Sequence, residues 1–328
     1  MTDAAAPRAG LWRAVLTLLA GGALAQLLPL ALGPWLTRLY TPAEFGIYHL
    51  FAAVAATLAV VACARYEFAL PLAADEAEAD TLRALSLWLL AGSTGIAAIA
   101  GGVWAWAVTA SWPLWLPLAV LVLGAVSLAT LVATRAQRFR ALAAARVLQH
   151  GGAALAQGVA GVAQMGVAGL IAAPLLAAVA AAALLRLRIT DWWRVPRTQL
   201  FAAARRHRDF PLLNTPHAFA GTLLDALTLS LVAASQGVAA AGFWGLVMRY
   251  LKAPATLVGG AVSQALYPRL AGHGMLAGQA CFLAALALGL WWGGLQAAGW
   301  AVSLAMALYF GWYFWRLATW PVASEASA

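Results

Sequence analysis

The sequence predicts an all-α fold, a polytopic integral membrane bundle of about ten transmembrane helices, each crossing needing roughly 20 mostly apolar residues. Three observations carry this. Of 328 residues, 64% are hydrophobic and 9% charged, with a mean hydropathy of +0.84, against about 45–50% apolar and 25% charged in soluble domains. The apolar residues come in runs long enough to cross a bilayer. The basic residues alternate from one connection to the next. Seventeen of the 20 lysines and arginines, Arg8, Arg83, Arg135, Arg186 and Arg316 among them, fall on every second connection, whereas the opposite connections carry only Arg38. Positively charged loops stay cytoplasmic, so both termini are expected inside.

Arg8 and Arg13 precede the first run, residues 15–35, which is too long for the apolar part of a cleaved leader and is followed by further crossings. The second and third are expected at 45–64 and 84–108, and the fourth at 114–134. The fifth and sixth, 147–162 and 166–185, form one Ala/Gly-rich stretch divided only around Gln164. Residues 186–216 make the one long polar segment. Its mixture of Trp192, Trp193, Arg205, Arg206 and Arg208 suits an interfacial helix or cytoplasmic linker. Four more crossings are expected at 215–234, 238–267, 278–295 and 299–315. The chain therefore reads as a six-helix lobe (1–186), a cytoplasmic basic linker (187–214) and a C-terminal lobe of about four helices (215–328). Trp112, Trp115, Trp291 and Trp292 sit near span ends as an aromatic belt. Gly158, Gly161, Gly166 and Gly169 permit close helix approach.

Several functions are excluded or left weak. The net charge of +9 is spread as short clusters beside apolar spans, where it meets anionic headgroups, so membrane lipids are expected partners and nucleic acid is not. Cys63 and Cys281 are far apart and fit neither a disulfide framework nor metal-ligand spacing. The only lysine, Lys252, follows no phosphate-cradling glycine loop, and neither H-E-x-x-H nor G-x-S-x-G occurs. No catalytic residue, cofactor or resident metal is expected, and the chain does not read as an enzyme. The acidic group Asp75, Glu76, Glu78 and Asp80 could hold Mg²⁺ in a membrane transferase acting on prenyl phosphates, but such loop carboxylates are ordinarily just solvated.

Ionisable residues at membrane depth are costly and mark function. In the eighth span, steps of three and four residues link Gly242, Gly245, Arg249, Lys252, Thr256, Gly260, Ser263 and Tyr267, a face that is cationic, polar and small from end to end. It should face a cavity or the bundle interior. On the seventh span His217, Gly221, Asp225 and Thr228 form a shorter stripe. Asp225 and Arg249 are equally distant from Gly237 in the connecting turn, which places them at similar depth as an ion pair, either coupling transport or only fixing helix register.

Specific segments carry a resemblance. Thr37-Arg38-Leu39-Tyr40-Thr41-Pro42-Ala43-Glu44-Phe45-Gly46, then Arg65-Tyr66-Glu67-Phe68-Ala69-Leu70-Pro71-Leu72, Asp209-Phe210-Pro211, Gly242-Phe243-Trp244 with Arg249 and Pro254, and Ser263-Gln264-Ala265-Leu266-Tyr267-Pro268-Arg269-Leu270 together resemble bacterial lipid-linked oligosaccharide flippases of the Wzx type. These belong to the multidrug/oligosaccharidyl-lipid/polysaccharide superfamily. The likeness covers most of residues 11–270. It implies two lobes about a pseudo-twofold axis along the membrane normal and an alternating-access cavity in the bacterial inner membrane. The implied substrate is a polyprenyl-pyrophosphate-linked glycan, an O-antigen or exopolysaccharide repeat unit, and other polysaccharide-assembly membrane proteins are implied partners. A weak internal echo of Glu44-Phe45-Gly46-Ile47-Tyr48 in Ala240-Ala241-Gly242-Phe243-Trp244 agrees. Arg249, Lys252, Arg65 and Ser263 are the candidate substrate-binding residues, and Asp225 and Glu67 the candidate coupling residues. Arg65 and Glu67 are expected at the inner mouth, beside Pro71. Full-length relatives carry about four further helices after the Tyr-Pro exit where this chain has room for two, so a helix pair of the second lobe is expected to be missing. The alternatives are a cation-coupled drug exporter of the same superfamily, which would need acidic cavity groups, and a truncated member incompetent in transport.

Overall fold

The computed structural model describes residues 6–187 and 191–251, with isolated helical positions between 284 and 309. Lys252, Ser263 and most of the two C-terminal crossings lie outside the described residues. The chain divides into a compact unit of residues 1–260 and a second of 261–328. Among the described residues there are ten α-helices and no strand: α1 Ala6–Leu39, α2 Pro42–Val61, α3 Glu76–Val108, α4 Leu116–Arg135, α5 Phe139–Val147, α6 Ala153–Val162, α7 Gly166–Leu185, α8 Arg197–Arg206, α9 Thr215–Gln236 and α10 Val238–Leu251. The protein is an all-α membrane helical bundle. By length and composition, five segments can cross a bilayer: Pro42–Val61, Glu76–Val108, Trp112–Arg135, Gly166–Leu185 and Phe210–Gln236. Apolar side chains such as Ile96, Ile99, Trp106 and Leu176 stay exposed on their outer faces, a surface suited to lipid.

The helix boundaries follow local chemistry. Thr41 caps α2: its hydroxyl accepts from the Glu44 N–H while the Glu44 carboxylate accepts from the Thr41 N–H at 2.7 Å, a capping box with Pro42 just inside. Part of the Thr-Pro-Ala-Glu motif is thus a helix start. The split expected near Gln164 is a turn in which Gln164 and Gly166 both take positive φ. The first, third and fifth helical rods begin earlier than their apolar runs, because α1, α3 and α5 extend through charged residues such as Arg13, Arg83 and Arg146 that hydropathy alone does not count.

Within 1–260, α1 packs on α5 and α6, α4 on α3 and α7, and α2 on α4, α7 and α9. Phe51, Ala55, Leu90, Ala97, Leu116, Val120 and Ile171 make the largest core cluster. The end of the bundle that carries α8 is a polar network. Arg135 donates to the carbonyls of Leu70, Ala73 and Asp75 and pairs with Glu76 at 2.9 Å. Glu78 accepts from the Ala74 N–H and pairs with His207 at 3.0 Å and Arg206 at 3.4 Å. Asp75 caps α3 by accepting from the Glu78 N–H, and Asp80 pairs with Arg83. All four carboxylates of the acidic loop therefore have structural partners, and the basic segment carrying α8 lies against α3, with Trp192 edge-on to Trp88.

Two prolines inside helices explain two polar residues. Pro174 cannot donate to the Leu170 carbonyl one turn back, and the buried Gln157 side chain donates to that oxygen instead, at 3.1 Å. Pro34 likewise frees the Leu30 carbonyl, which accepts from the Tyr250 hydroxyl at 3.2 Å. A bilayer leaves no water for such groups, so a neighbouring helix must serve them. Gln157→Leu is expected to lower stability in detergent by about 1–2 kcal/mol. Adding Pro174→Ala, which restores the helix's own bond, should recover most of the loss. Thermal unfolding of the single and double variants measures it, and equal losses with and without the proline would refute the assignment.

Candidate functional site

The first candidate region lies where α2 crosses α10. A Cβ on Gly46 would strike the Val238 carbonyl, and one on Gly242 would strike the Pro42 carbonyl. The contact is reciprocal, glycine to carbonyl and carbonyl to glycine, as at a twofold interface. One turn further in, Gly245 leaves room for the His49 ring. That ring stacks on Phe45 at 6.0 Å, and its Nε2 is buried with no hydrogen-bond partner. Arg249 follows on the same face of α10, half-buried and within electrostatic reach of His49 and of His150. His150 belongs to a π-helical turn, Leu148–Gly152, between α5 and α6. Such bulges insert one residue and re-aim a side chain. Tyr250 completes the region, fitted over Gly33 and bonded to Leu30 of α1.

The described part of the expected eighth-span stripe, Gly242, Gly245 and Arg249, therefore turns to the bundle interior, while Phe243, Val247 and Leu251 are exposed on the other side. On α9 Asp225 is exposed and Thr228 buried. The two helices meet at Gly237, with Asp225 eleven residues before the end of α9 and Arg249 eleven after the start of α10. At about 1.5 Å per residue both lie about 16 Å along their helices from the turn.

The second region is the break after α2, where the sequence leads one to expect the inner mouth. After α2 the chain turns through Ala64 and Arg65, both at positive φ, into a 3-10 segment, Tyr66–Leu72. Arg65 lies over the Phe68 ring at 4.7 Å with its Nε buried and unbonded. Glu67 is 2% exposed; Oε1 accepts weakly from Ser127 at 3.5 Å and Oε2 is buried without a partner. Burial pushes the Glu67 carboxyl above the ordinary carboxylate range, and the backbone, Arg65 and Ser127 only partly offset it. Burial also pulls Arg65 below its usual value. Among the described residues no group of three or more His, Cys, Asp or Glu is placed to hold a metal ion.

Of the candidate residues, the structure places Arg249 at the α2–α10 crossing and Arg65 with Glu67 at the break after α2. Lys252 and Ser263 fall outside the described residues. His49, His150 and Tyr250 were not singled out by sequence. The signal for Tyr250 was Pro34, whose freed carbonyl requires a donor; His49 and His150 were legible only as isolated imidazoles within apolar runs.

Residues 35–273, more than half of the chain, match the family described as "Polysaccharide biosynthesis protein". Neither a curated protein nor a solved structure matches the chain.

The Glu67 geometry fixes a pH dependence. A carboxyl whose folded value is raised binds its proton more tightly in the folded state, so its contribution to stability falls as pH rises from the ordinary glutamate value through the raised one, then stays constant. Glu67→Gln should be at least as stable as wild type at neutral pH and should remove that part of the slope. Unfolding midpoints across this range decide it; an unchanged slope in the variant would show that Glu67 is not the titrating group.

Proposed function

The chain belongs to the polysaccharide biosynthesis protein family, and from that premise we propose that it is a flippase of the Wzx kind. It carries a polyprenyl-pyrophosphate-linked oligosaccharide from the cytoplasmic to the outer leaflet of the bacterial inner membrane by alternating access, with both termini cytoplasmic. It catalyses no covalent step. The observation that carries this reading is the guanidinium of Arg249 on the inward face of α10, about 16 Å below the helix start. A cationic group at that depth is retained where an anion must pass. A drug-cation exporter would need an excess of acidic groups there, whereas the expected balance is Arg249 and Lys252 against Asp225.

In this reading the lobes are 1–186 and 215–328, joined by the basic linker 187–214, and the second lobe lacks one helix pair. Arg249 and Lys252 take the pyrophosphate at midplane and Ser263 lines the exit. Arg65 meets the phosphates at the inner mouth, where Glu67 holds the helix break. Asp225 holds Arg249 while the cavity is empty and yields it on loading, its protonation being the coupling step. Polysaccharide-assembly membrane proteins that make and consume the lipid are the partners.

Complementation of a strain lacking its flippase tests the reading. Wild type is expected to restore surface glycan; Arg249→Ala should abolish it with expression unchanged. Restoration only by a chain given an added helix pair would assign the protein to the transport-incompetent alternative. Recovery of glycan by Asp225→Ala/Arg249→Ala would make that pair purely structural. Reporter fusions after Ala328 and near Trp112 should give cytoplasmic and periplasmic signals respectively, and the reverse pattern would overturn the topology.

A further inference from the structure

The segment from Trp192 to Arg208 has two faces, and only one of them is engaged. On the side that packs on α3, Leu200, Ala203, Ala204 and His207 are half-buried. The Ala204 carbonyl accepts from the Tyr66 hydroxyl at 3.2 Å, and His207 lies 3.0 Å from Glu78. On the other side Arg197, Phe201 and Arg205 recur every four residues along α8 and are all exposed, Phe201 by 73%. Arg208, also exposed, follows in the turn after the helix. Among the described residues Arg197, Arg205 and Arg208 make no hydrogen bond or ion pair, whereas Arg194 pairs with Asp191 at 3.3 Å and Arg206 with Glu78 at 3.4 Å.

Two contacts fix the level of this surface. Trp192 meets Trp88 edge-on at 4.7 Å, inside the apolar run that begins near residue 84, while His207 meets Glu78, which precedes that run. From Glu78 to Trp88 α3 rises about 15 Å, so the segment straddles the level at which α3 leaves its apolar run. Beyond Arg208 the chain passes at once into Phe210–Gln236, long and apolar enough to cross a bilayer. The free face is therefore held at headgroup height from both ends.

We propose that this face is a clamp for anionic phospholipid: Arg197, Arg205 and Arg208 bind headgroup phosphates of the surrounding leaflet, Phe201 seats among the acyl chains, and the bound lipid holds α8 against α3 and the 3-10 segment. Charge complementarity selects the occupant, since residues 191–209 carry five arginines against Asp191 and Asp209. Guanidinia take phosphate oxygens in pairs, and an exposed ring between them suits the boundary where phosphates give way to acyl chains. An acidic protein would match the charge, but at this height the bilayer already stands in its place. Tyr66 and Glu78 are bonded to the opposite side of the same residues, so lipid on the free face opposes their release. The clamp is independent of what the chain carries.

The test titrates the full chain in detergent with phosphatidylglycerol and with phosphatidylcholine of the same acyl chains, bound lipid being counted by native mass spectrometry. Wild type should prefer phosphatidylglycerol by about tenfold. Arg197→Gln/Arg205→Gln/Arg208→Gln should bind the two lipids about equally, and Arg197→Lys/Arg205→Lys/Arg208→Lys should keep most of the preference, because the charge remains. Arg140→Gln/Arg146→Gln, which removes two exposed arginines of α5, should behave as wild type; an equal loss there would trace the preference to the general basic field and overturn the proposal, as would an unchanged preference in the triple glutamine variant. In nanodiscs, amide exchange of residues 197–207 should slow several-fold when phosphatidylglycerol is added to phosphatidylcholine, in wild type and not in the triple glutamine variant. Exchange in wild type that ignores the added lipid overturns the clamp. A benzophenone side chain placed at position 201 and irradiated in native membranes should give adducts of phospholipid mass, and cross-linking to a polypeptide instead would assign the face to a protein partner.

Discussion

The constraint on which the rest of this bundle depends is that every backbone N–H and C=O at membrane depth must find a partner inside the protein. Helices meet it by construction, and prolines break it at known places. Pro174 and Pro34 each free the carbonyl four residues earlier, and each carbonyl is taken by a side chain from another helix, Gln157 of α6 and Tyr250 of α10. The repair does more than satisfy an acceptor. It ties α6 to α7, and it ties α10 to α1 across a long stretch of sequence, with Gly33 leaving the room that Tyr250 needs. The helices α6 and α10 are thereby located by hydrogen bonds whose existence follows from two prolines.

Close approach is the second organising fact. Without a hydrophobic force between helices in lipid, association relies on packing, which small residues permit. The α2–α10 crossing uses Gly46 and Gly242 in reciprocal contact with the carbonyls of Val238 and Pro42. Pro42 to Gly46 and Val238 to Gly242 are the same interval, and both glycines belong to the segments that echo each other in sequence. A weak similarity that sequence alone could offer only as a pattern has a physical basis here: both copies need a glycine at the position where the helices cross. The crossing sets the depth at which Gly245 and His49 meet and so where Arg249 stands.

Much of the fold was legible because it is written in apolar run lengths and arginine alternation. The six N-terminal rods fall on the expected runs, the turn at Gln164 included, since twenty apolar residues have few alternatives in a bilayer. Arg249 was legible as a cation inside such a run. His49, His150 and Gln157 were not, because one polar residue barely changes a hydropathy window and its partner is set by helix rotation, which periodicity fixes only within one helix. The π-helical turn at Leu148–Gly152 changes that rotation part-way along a rod, and nothing in run length signals it. The acidic loop was open to two readings until its partners were known; Arg135, Arg206, His207 and Arg83 supply them.

The break after α2 shows how a bundle can be firm on one side and unsettled on the other. Ala64 and Arg65 are consecutive non-glycine residues in the left-handed region, each costing on the order of 1–3 kcal/mol and persisting only where the surroundings hold them. The holding is done from the side of α8 and the end of α4: Arg135 bonds the carbonyls of Leu70 and Ala73 at the end of the 3-10 segment, and Tyr66 donates to Ala204 of α8. On the interior side Arg65 Nε and Glu67 Oε2 have no partner, and their electrostatic attraction does not outweigh the burial that raises Glu67. Outer bonds thus fix the segment while its inner polar atoms keep unspent hydrogen-bonding capacity. The energetically cheapest rearrangement of this break is therefore one that brings a donor to Glu67 and an acceptor to Arg65, because a proton on Glu67 would remove its charge but leave a buried O–H in need of an acceptor of its own.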